Sequence, residues 1–333
     1  MRTFREFCEQ ALYHPRTGFY SRRKPSEHFY TAPELHPGFG WTLARAVARK
    51  LERLRRLDVP GPYAVVEMGS ASGLLGRHIQ EGLRREAPEM AAEILWVAVE
   101  RSRDHLLESL SALQGSGAKV LGYQRLSDVP PLRGVFLSNE LVDALPFHVL
   151  EKRDGKVGEL YADDSGNSQV GALSQPELEP IAQGIEATLA EGQRHAVCLE
   201  AVSWLKTAGQ RLAAGWLITI DYGKRFGPRD INAPRSYRRH VLDDRIIADP
   251  GRRDLTAPVD FSVLIGEGEK LGLSCEAFTS LSSFLLDHGL MDWLPRGDGA
   301  AAISGRAKLK TLIHPEGMGE AFKVLVQAKA AAA

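Results

Sequence analysis

Cysteine is scarce in this chain: 3 in 333 residues, at Cys8, Cys198 and Cys275. An odd number of widely spaced thiols excludes a disulfide framework and a cysteine-built zinc site. Long apolar runs are missing as well. The longest, around Trp216–Ile220, is strand length, far short of the roughly 20 residues that span a bilayer. No membrane insertion is therefore expected, and the N-terminus lacks the apolar core of a secretory signal. Nor is one charge in excess: 42 Lys and Arg face 42 Asp and Glu, where a generic nucleic-acid binder would carry a clear basic surplus. The ten histidines show no His-x-x-x-His or His–carboxylate spacing that would nominate a metal site. These absences leave the expectation of a soluble, cytoplasmic protein of a reducing compartment, with neither metal nor nucleic acid bound.

What is present is ample core material, 44% hydrophobic residues, in a length suited to one large domain or two modest ones. The first 35 residues are aromatic and turn-rich and read as an ordered arm or lid. From Gly38 the pattern is helical, with Leu43, Ala44, Val47, Ala48, Leu51 and Leu54 on one face, until Pro60-Gly61-Pro62 stops it. Short Val/Ile/Leu strands then alternate with helices: strands at Tyr63–Met68, Ile94–Glu100, Lys119–Tyr123 and Gly134–Ser138, helices at Leu74–Glu86 and Arg103–Leu113. That alternation indicates βαβ units and a parallel sheet. Beyond Pro146, Val149–Arg153 and Val157–Tyr161 form an antiparallel hairpin about Asp154-Gly155, followed by a helix over Leu178–Leu189. Strand character returns at Ala196–Leu199, Trp216–Ile220 and Phe322–Gln327. The expected organisation is an arm and helix over 1–60, a core over 61–147 and 195–333 with a cleft insertion at 224–290, and an inserted hairpin and helix over 148–194.

The chemistry is carried first by Glu67-Met68-Gly69-Ser70-Ala71-Ser72-Gly73, an acidic strand end running into a glycine turn and a helix. Such a turn lets the backbone and the helix N-terminus approach a ligand. A dinucleotide loop would read G-x-G-x-x-G and hold a pyrophosphate. An acid ahead of the loop disfavours pyrophosphate and suits a cationic ligand such as S-adenosylmethionine. Glu100, at the end of the next strand, is placed to accept the two hydroxyls of a ribose. The plainer alternative is an ordinary turn with a surface glutamate.

Asn139, Glu140 and Asp143 end the fourth strand, where open α/β sheets bind ligands. They also suit a helix N-terminus capped by Asn139, and both readings can hold together. Asp221-Tyr222-Gly223 follows another apolar strand and precedes a basic loop that contains His240, a residue that alone is more often structural than catalytic.

These pieces resemble the MidA-like S-adenosylmethionine-dependent methyltransferases, related to the mitochondrial complex I assembly factor that methylates an arginine. The resemblance is carried by Leu12-Tyr13-His14-Pro15 with Gly18-Phe19-Tyr20, by Phe29-Tyr30-Thr31-Ala32-Pro33-Glu34-Leu35, and by Glu67-Met68-Gly69. Further strings are Asn139-Glu140 through Asp143-Ala144-Leu145-Pro146, Asp221-Tyr222-Gly223, and Asp254-Leu255-Thr256-Ala257 with Val259-Asp260-Phe261. It implies a Rossmann-like class I sheet with helices on both faces, an N-terminal lid and an inserted α+β substrate region. It also implies S-adenosyl-L-methionine as cofactor, held by Thr31, Glu67, Gly69, Ser70, Ala71, Gly73 and Glu100. Asn139, Glu140, Asp143, Asp221 and His240 are the candidate catalytic residues. The implied acceptor is a protein arginine, in a respiratory-complex subunit by analogy, with a homodimer plausible on the same ground.

The chain departs from the family pattern at Glu27-His28, where a Gly-Asp pair is expected, and at Pro258, where a histidine is. Ala71 replaces a glycine and Leu281 a glutamine. An alanine at 71 is tolerable provided its φ stays negative. These departures keep two alternatives in view: a cofactor-binding assembly factor with little activity, and a methyltransferase for a small molecule.

Charge is unevenly spread behind the neutral total. Residues 1–60 hold 12 basic and 6 acidic residues, whereas 126–200 hold 5 basic and 13 acidic. Much of that acidity is solvated surface, yet an acidic stretch containing Glu140 and Asp143 suits a cationic acceptor.

Overall fold

The structure is a computed structural model that describes residues 1–22, 31–115, 118–238 and 241–331. The chain divides into two compact units, each assembled from three pieces. The sheet unit comprises 31–141, 205–222 and 265–333; the N-terminal unit comprises 1–30, 142–204 and 223–264.

Among its described residues the sheet unit contains seven strands: β1 (Tyr63–Met68), β2 (Leu95–Val99), β3 (Lys119–Tyr123), β4 (Leu132–Asn139), β5 (Leu212–Lys224), β6 (Ser274–Ser280) and β7 (Phe322–Lys329). Their spatial order is β6-β7-β5-β4-β1-β2-β3. The neighbours from β5 to β3 are parallel, and β7 runs antiparallel to both β5 and β6. The strands β1, β2, β4, β5 and β7, rich in Val, Ile and Leu, are buried on both faces over their central residues, as a doubly wound sheet requires. Helices α1 (Gly38–Arg56), α2 (Leu74–Glu86) and α3 (Arg103–Gln114) follow the expected spans closely. Leu43, Ala44, Val47, Leu51 and Leu54 of α1 join Val65, Val135, Leu137, Ile218 and Val324 of the sheet in one core.

In the N-terminal unit, the strand His148–Arg153 lies between Lys156–Ala162 and Arg194–Val197, all antiparallel. Asp154 (φ 53°) and Gly155 (φ 76°) make the expected tight turn. A second sheet places Arg235–Arg238 between Val241–Asp243 and Asp254–Thr256.

Two expectations need correction. The first residues are a helix, Phe4–Tyr13, with Thr3 and Glu6 closing a capping box. Phe4, Phe7, Cys8, Ala11 and Leu12 form its buried face, packed with Phe147, Leu160 and Leu255. The expected boundaries also differ: 1–30 shares a core with 142–204 and 223–264, whereas α1 belongs to the sheet unit. Residues 265–290 likewise leave the expected insertion, because Ser274–Ser280 is the edge strand β6.

Candidate active site

β1 and β4 are parallel neighbours, with Met68 opposite Ser138. The winding reverses between them, since β2 and β3 lie on one side and β5 on the other. The crevice at the carboxyl ends of such a pair is where open α/β sheets bind ligands.

The loop after β1 turns through three left-handed residues, Gly69 (φ 76°), Ala71 (φ 43°) and Gly73 (φ 77°). Gly69 and Ser70 donate to the Val99 carbonyl at 2.8 and 3.2 Å, and Gly73 donates to the Ser70 carbonyl at 2.7 Å. A Cβ at Gly73 would sit 2.9 Å from Ser109 Cα of α3, so both conformation and space select glycine there. Ala71 meets the same conformational demand with a methyl group, so the condition of a negative φ is not met. Glu100 holds the turn: one carboxylate oxygen accepts the Ala71 N–H at 3.0 Å, the other the Ser102 N–H at 2.9 Å.

Glu67 is not on that surface. Strand alternation puts it on the same face as Val65, under α2, where it is 3% exposed and its Oε2 lacks a hydrogen-bond partner. Burial pushes its carboxyl up to about 8, with the Glu100 charge adding to the effect, and the nearby Gly76 N–H and Trp96 indole offset only part. The carboxyl is turned under α2, against Gly76, in this structure. Its buried position makes it part of the loop's support instead.

The loop after β4 is equally constrained. Glu140 has φ 52°, and its N–H donates to the Ile220 carbonyl at 3.0 Å. Its Oε1 accepts the Ala32 N–H at 3.2 Å and the Asn139 amide at 3.0 Å. Asp221 is fully buried; it accepts the Leu141 N–H at 3.2 Å and the Tyr222 N–H at 2.9 Å. Thr31 precedes the short helix Ala32–Leu35, and its N–H reaches Glu34 at 3.4 Å. The Leu141 side chain packs over Gly69. Thr31, the glycine turn, Asn139, Glu140 and Asp221 are therefore brought together in the sheet unit.

Asp143 belongs to the N-terminal unit. There Thr256 Oγ1 donates to its Oδ2 at 3.3 Å, and Tyr20 donates to Asp254 Oδ1 at 2.9 Å. Tyr13, Tyr20, Asp254 and Thr256 carry no signal of a role in the sequence beyond lying in family-like strings. His240, Glu27 and His28 lie outside the described residues. Of the other departures, Leu281 is buried in the core with Phe284 and Leu285, and the Pro258 carbonyl accepts from Asn232 at 2.9 Å. Among the described residues no cluster suits a metal ion and no helix is long and apolar enough to cross a membrane.

This sheet order, with a glycine turn and a carboxylate strand end at the switch point, defines a class I methyltransferase fold. The chain belongs to the family described as "Putative S-adenosyl-L-methionine-dependent methyltransferase", which it matches over residues 42–279. It is an S-adenosyl-L-methionine-dependent methyltransferase. Its relatives include the protein arginine methyltransferase NDUFAF7 homolog, mitochondrial, of Drosophila melanogaster, 26% identical over 96% of this chain and 80% of the relative. NDUFAF7 of Mus musculus is 28% identical over 96% and 79%. A crystal structure of a Burkholderia thailandensis protein bound to S-adenosyl-homocysteine superposes with a TM-score of 0.82 at 28% identity, covering 99% of this chain and 88% of that one.

The rim fits such a cofactor. Ser70 Oγ and Asn139 Oδ1 are buried polar atoms with no hydrogen-bond partner, one in each loop at the switch point. A buried polar atom left unpaired costs about 1–3 kcal/mol, which a polar ligand held between these strand ends would offset.

Proposed function

We propose that this methyltransferase acts on an arginine side chain of a protein, with Glu140 and Asp143 as the carboxylates that engage the guanidinium. The carrying observation is the strained, doubly anchored Glu140 at the switch-point end of β4, and the naming of the relatives as protein arginine methyltransferases supports it. The cofactor supplies a methyl group activated on a sulfonium. Gly69, Ser70, Ala71 and Gly73 would lie against it with their backbone, and Glu100 would reach its ribose while still holding the turn.

A guanidinium is protonated at neutral pH. A carboxylate can hold it bidentately, turn one nitrogen toward the methyl group and take up charge as its proton leaves. Asn139 and Asp221 act as positioning residues in this reading. Asn139 donates to Glu140, and Asp221 pins the Leu141 N–H. No role is assigned to His240. A reducing compartment agrees with the three free thiols; whether that is the cytoplasm or, as the relatives' names say of them, the mitochondrion is a matter for fractionation.

The test uses labelled cofactor in a lysate resolved by size, with acid hydrolysis to detect methylarginine. Glu140→Gln and Asp143→Asn should each lower its formation by about 100-fold or more while S-adenosylhomocysteine binding stays within about threefold. Unchanged methylarginine would sink the assignment. Label confined to small molecules would replace the protein acceptor with a metabolite.

A further inference from the structure

Gly76 is the third residue of α2, and the place of its missing side chain is already taken. A Cβ there would stand 2.4 Å from Glu67 Oε2, 2.8 Å from Leu113 Cδ2 of α3 and 2.9 Å from Trp96 Cζ2 of β2, all closer than van der Waals contact. Glu67 reaches this spot from β1, where it stands opposite Ala98. Trp96, two residues earlier on β2, shares that face. The Gly76 N–H and the Trp96 indole lie beside the carboxyl, while Oε2 itself makes no hydrogen bond. Gly73, three residues before Gly76, meets α3 as closely at Ser109. The glycine turn is therefore fixed at both ends. Its start is hooked to β2 and Glu100 by the N–H groups of Gly69, Ser70 and Ala71. Its end lies wherever the first turn of α2 is seated, and that seat is built from Glu67, Trp96 and Leu113.

We infer that Glu67 is a positioning residue for the cofactor, acting through Gly76: the shape of its carboxyl, not its charge, sets the height of α2 over the sheet and so the place of Gly73 and the turn. This deepens the reading above and rests on the glycine turn lying against the cofactor. A displaced first turn moves Gly73 directly, because the Gly73 carbonyl accepts the Arg77 N–H at 3.0 Å. Close-packed interiors transmit such a displacement instead of absorbing it. A ligand held by backbone atoms needs them within about 0.5 Å of their productive positions. The acid that the sequence places ahead of the loop thus serves the cofactor from beneath the helix. Shape and charge can be told apart at this residue, because an amide fills nearly the same space as a carboxyl.

The experiment is isothermal titration of S-adenosylhomocysteine into the full chain. Wild type is compared with Glu67→Gln, Glu67→Ala, Gly76→Ala and the double variant Glu67→Ala with Gly76→Ala, and Gly73→Ala serves as the reference for the turn. Titration reads the folded protein, so a residue that only supports stability would leave the affinity unmoved. Glu67→Gln should bind within about twofold of wild type. Glu67→Ala empties the seat and Gly76→Ala overfills it, and each should weaken binding by about tenfold. In the double variant the new methyl group takes up part of the vacated space, so it should bind several-fold tighter than Gly76→Ala alone. A tenfold loss in Glu67→Gln would show that the charge matters and overturn the inference. So would losses that simply multiply in the double variant. If Gly76→Ala does not fold, recovery of cooperative melting in the double variant gives the same support, and a double variant that also fails to fold overturns it. Weaker binding in Gly73→Ala beside unchanged Glu67→Ala and Gly76→Ala refutes the seat alone. Affinity indifferent to Gly73→Ala refutes the placement of the cofactor itself.

Discussion

Ala71→Gly should stabilise this protein, against the usual effect of adding a glycine. Ala71 sits at φ 43°, a region where a Cβ costs about 1–2 kcal/mol. Glycine removes that cost but gives the unfolded chain more freedom, worth about 0.5–1 kcal/mol. The native turn survives the change, because its anchor is the Ala71 backbone N–H on Glu100, which glycine retains. The difference is a net gain of about 0.5–1 kcal/mol, or roughly 1–4 °C in Tm for a unit of this size. Because the turn is already formed in the free protein, the relief is the same with and without ligand, and S-adenosylhomocysteine affinity should change by less than about twofold. Differential scanning calorimetry with and without ligand, together with isothermal titration, measures both quantities. A loss of about 1 kcal/mol with weaker binding is what glycine does at a residue of negative φ, and it would refute the left-handed assignment and the argument built on it.

Glu67→Gln should flatten the alkaline limb of the stability profile. The folded carboxyl is raised to about 8, so from its unfolded value up to that pH the native state binds the extra proton. Stability therefore falls as pH rises across this window. The neutral amide should remove that slope and leave the variant more stable near pH 8, by something on the order of 1–3 kcal/mol, as urea denaturation at several pH values would show; an unchanged slope would contradict it. Gly73→Ala should cost about 2 kcal/mol or more, since it adds left-handed strain to a clash with the Ser109 backbone. It should also weaken cofactor binding; full retention of both stability and affinity would mean that the turn is not constrained as described.

The inner parallel strands were legible because both their faces are buried, so Val, Ile and Leu dominate them. β6 was not. Ser274–Ser280 is an edge strand with no buried residue, and its SCEAFTS sequence carries neither an apolar run nor a clean alternation. The helix Phe4–Tyr13 did leave a signal, in Thr3 and Glu6 and in Phe4, Phe7, Cys8, Ala11 and Leu12 at helical spacing. The turn residues just beyond it outweighed that pattern. At the site, sequence order placed Glu67, Gly69, Glu100 and Glu140 at strand ends. It could not say which face Glu67 takes, and the period-two alternation with Val65 carries it beneath the helix. The Tyr20–Asp254 contact was illegible in principle, because it joins residues 234 positions apart through pairing no local pattern encodes.

Backbone strain gives an independent view of the rim. Among the described residues of the sheet unit, three non-glycine residues have positive φ: Asp58, Ala71 and Glu140. Asp58 lies in a turn just beyond α1, and aspartate tolerates the left-handed region. Ala71 and Glu140 have no such licence, and they occupy the two loops that leave β1 and β4. At about 1–2 kcal/mol each, the pair costs roughly 2–4 kcal/mol that the surroundings must offset. The offset is visible in the hydrogen bonds that lock both turns: Ala71 to Glu100, Ala32 and Asn139 to Glu140, and Leu141 to Asp221. Hydrogen bonds to charged groups contribute about 1.5–3 kcal/mol apiece, enough to over-determine the geometry. Strain held in this way at a ligand crevice fixes the backbone before any ligand arrives. Glu100 and Asp221 therefore already have structural work in the free protein. A loss of activity on replacing either one measures the loosening of a pre-formed rim together with any lost contact to cofactor or acceptor. Only the isosteric amides, which keep the shape and remove the charge, can begin to separate the two.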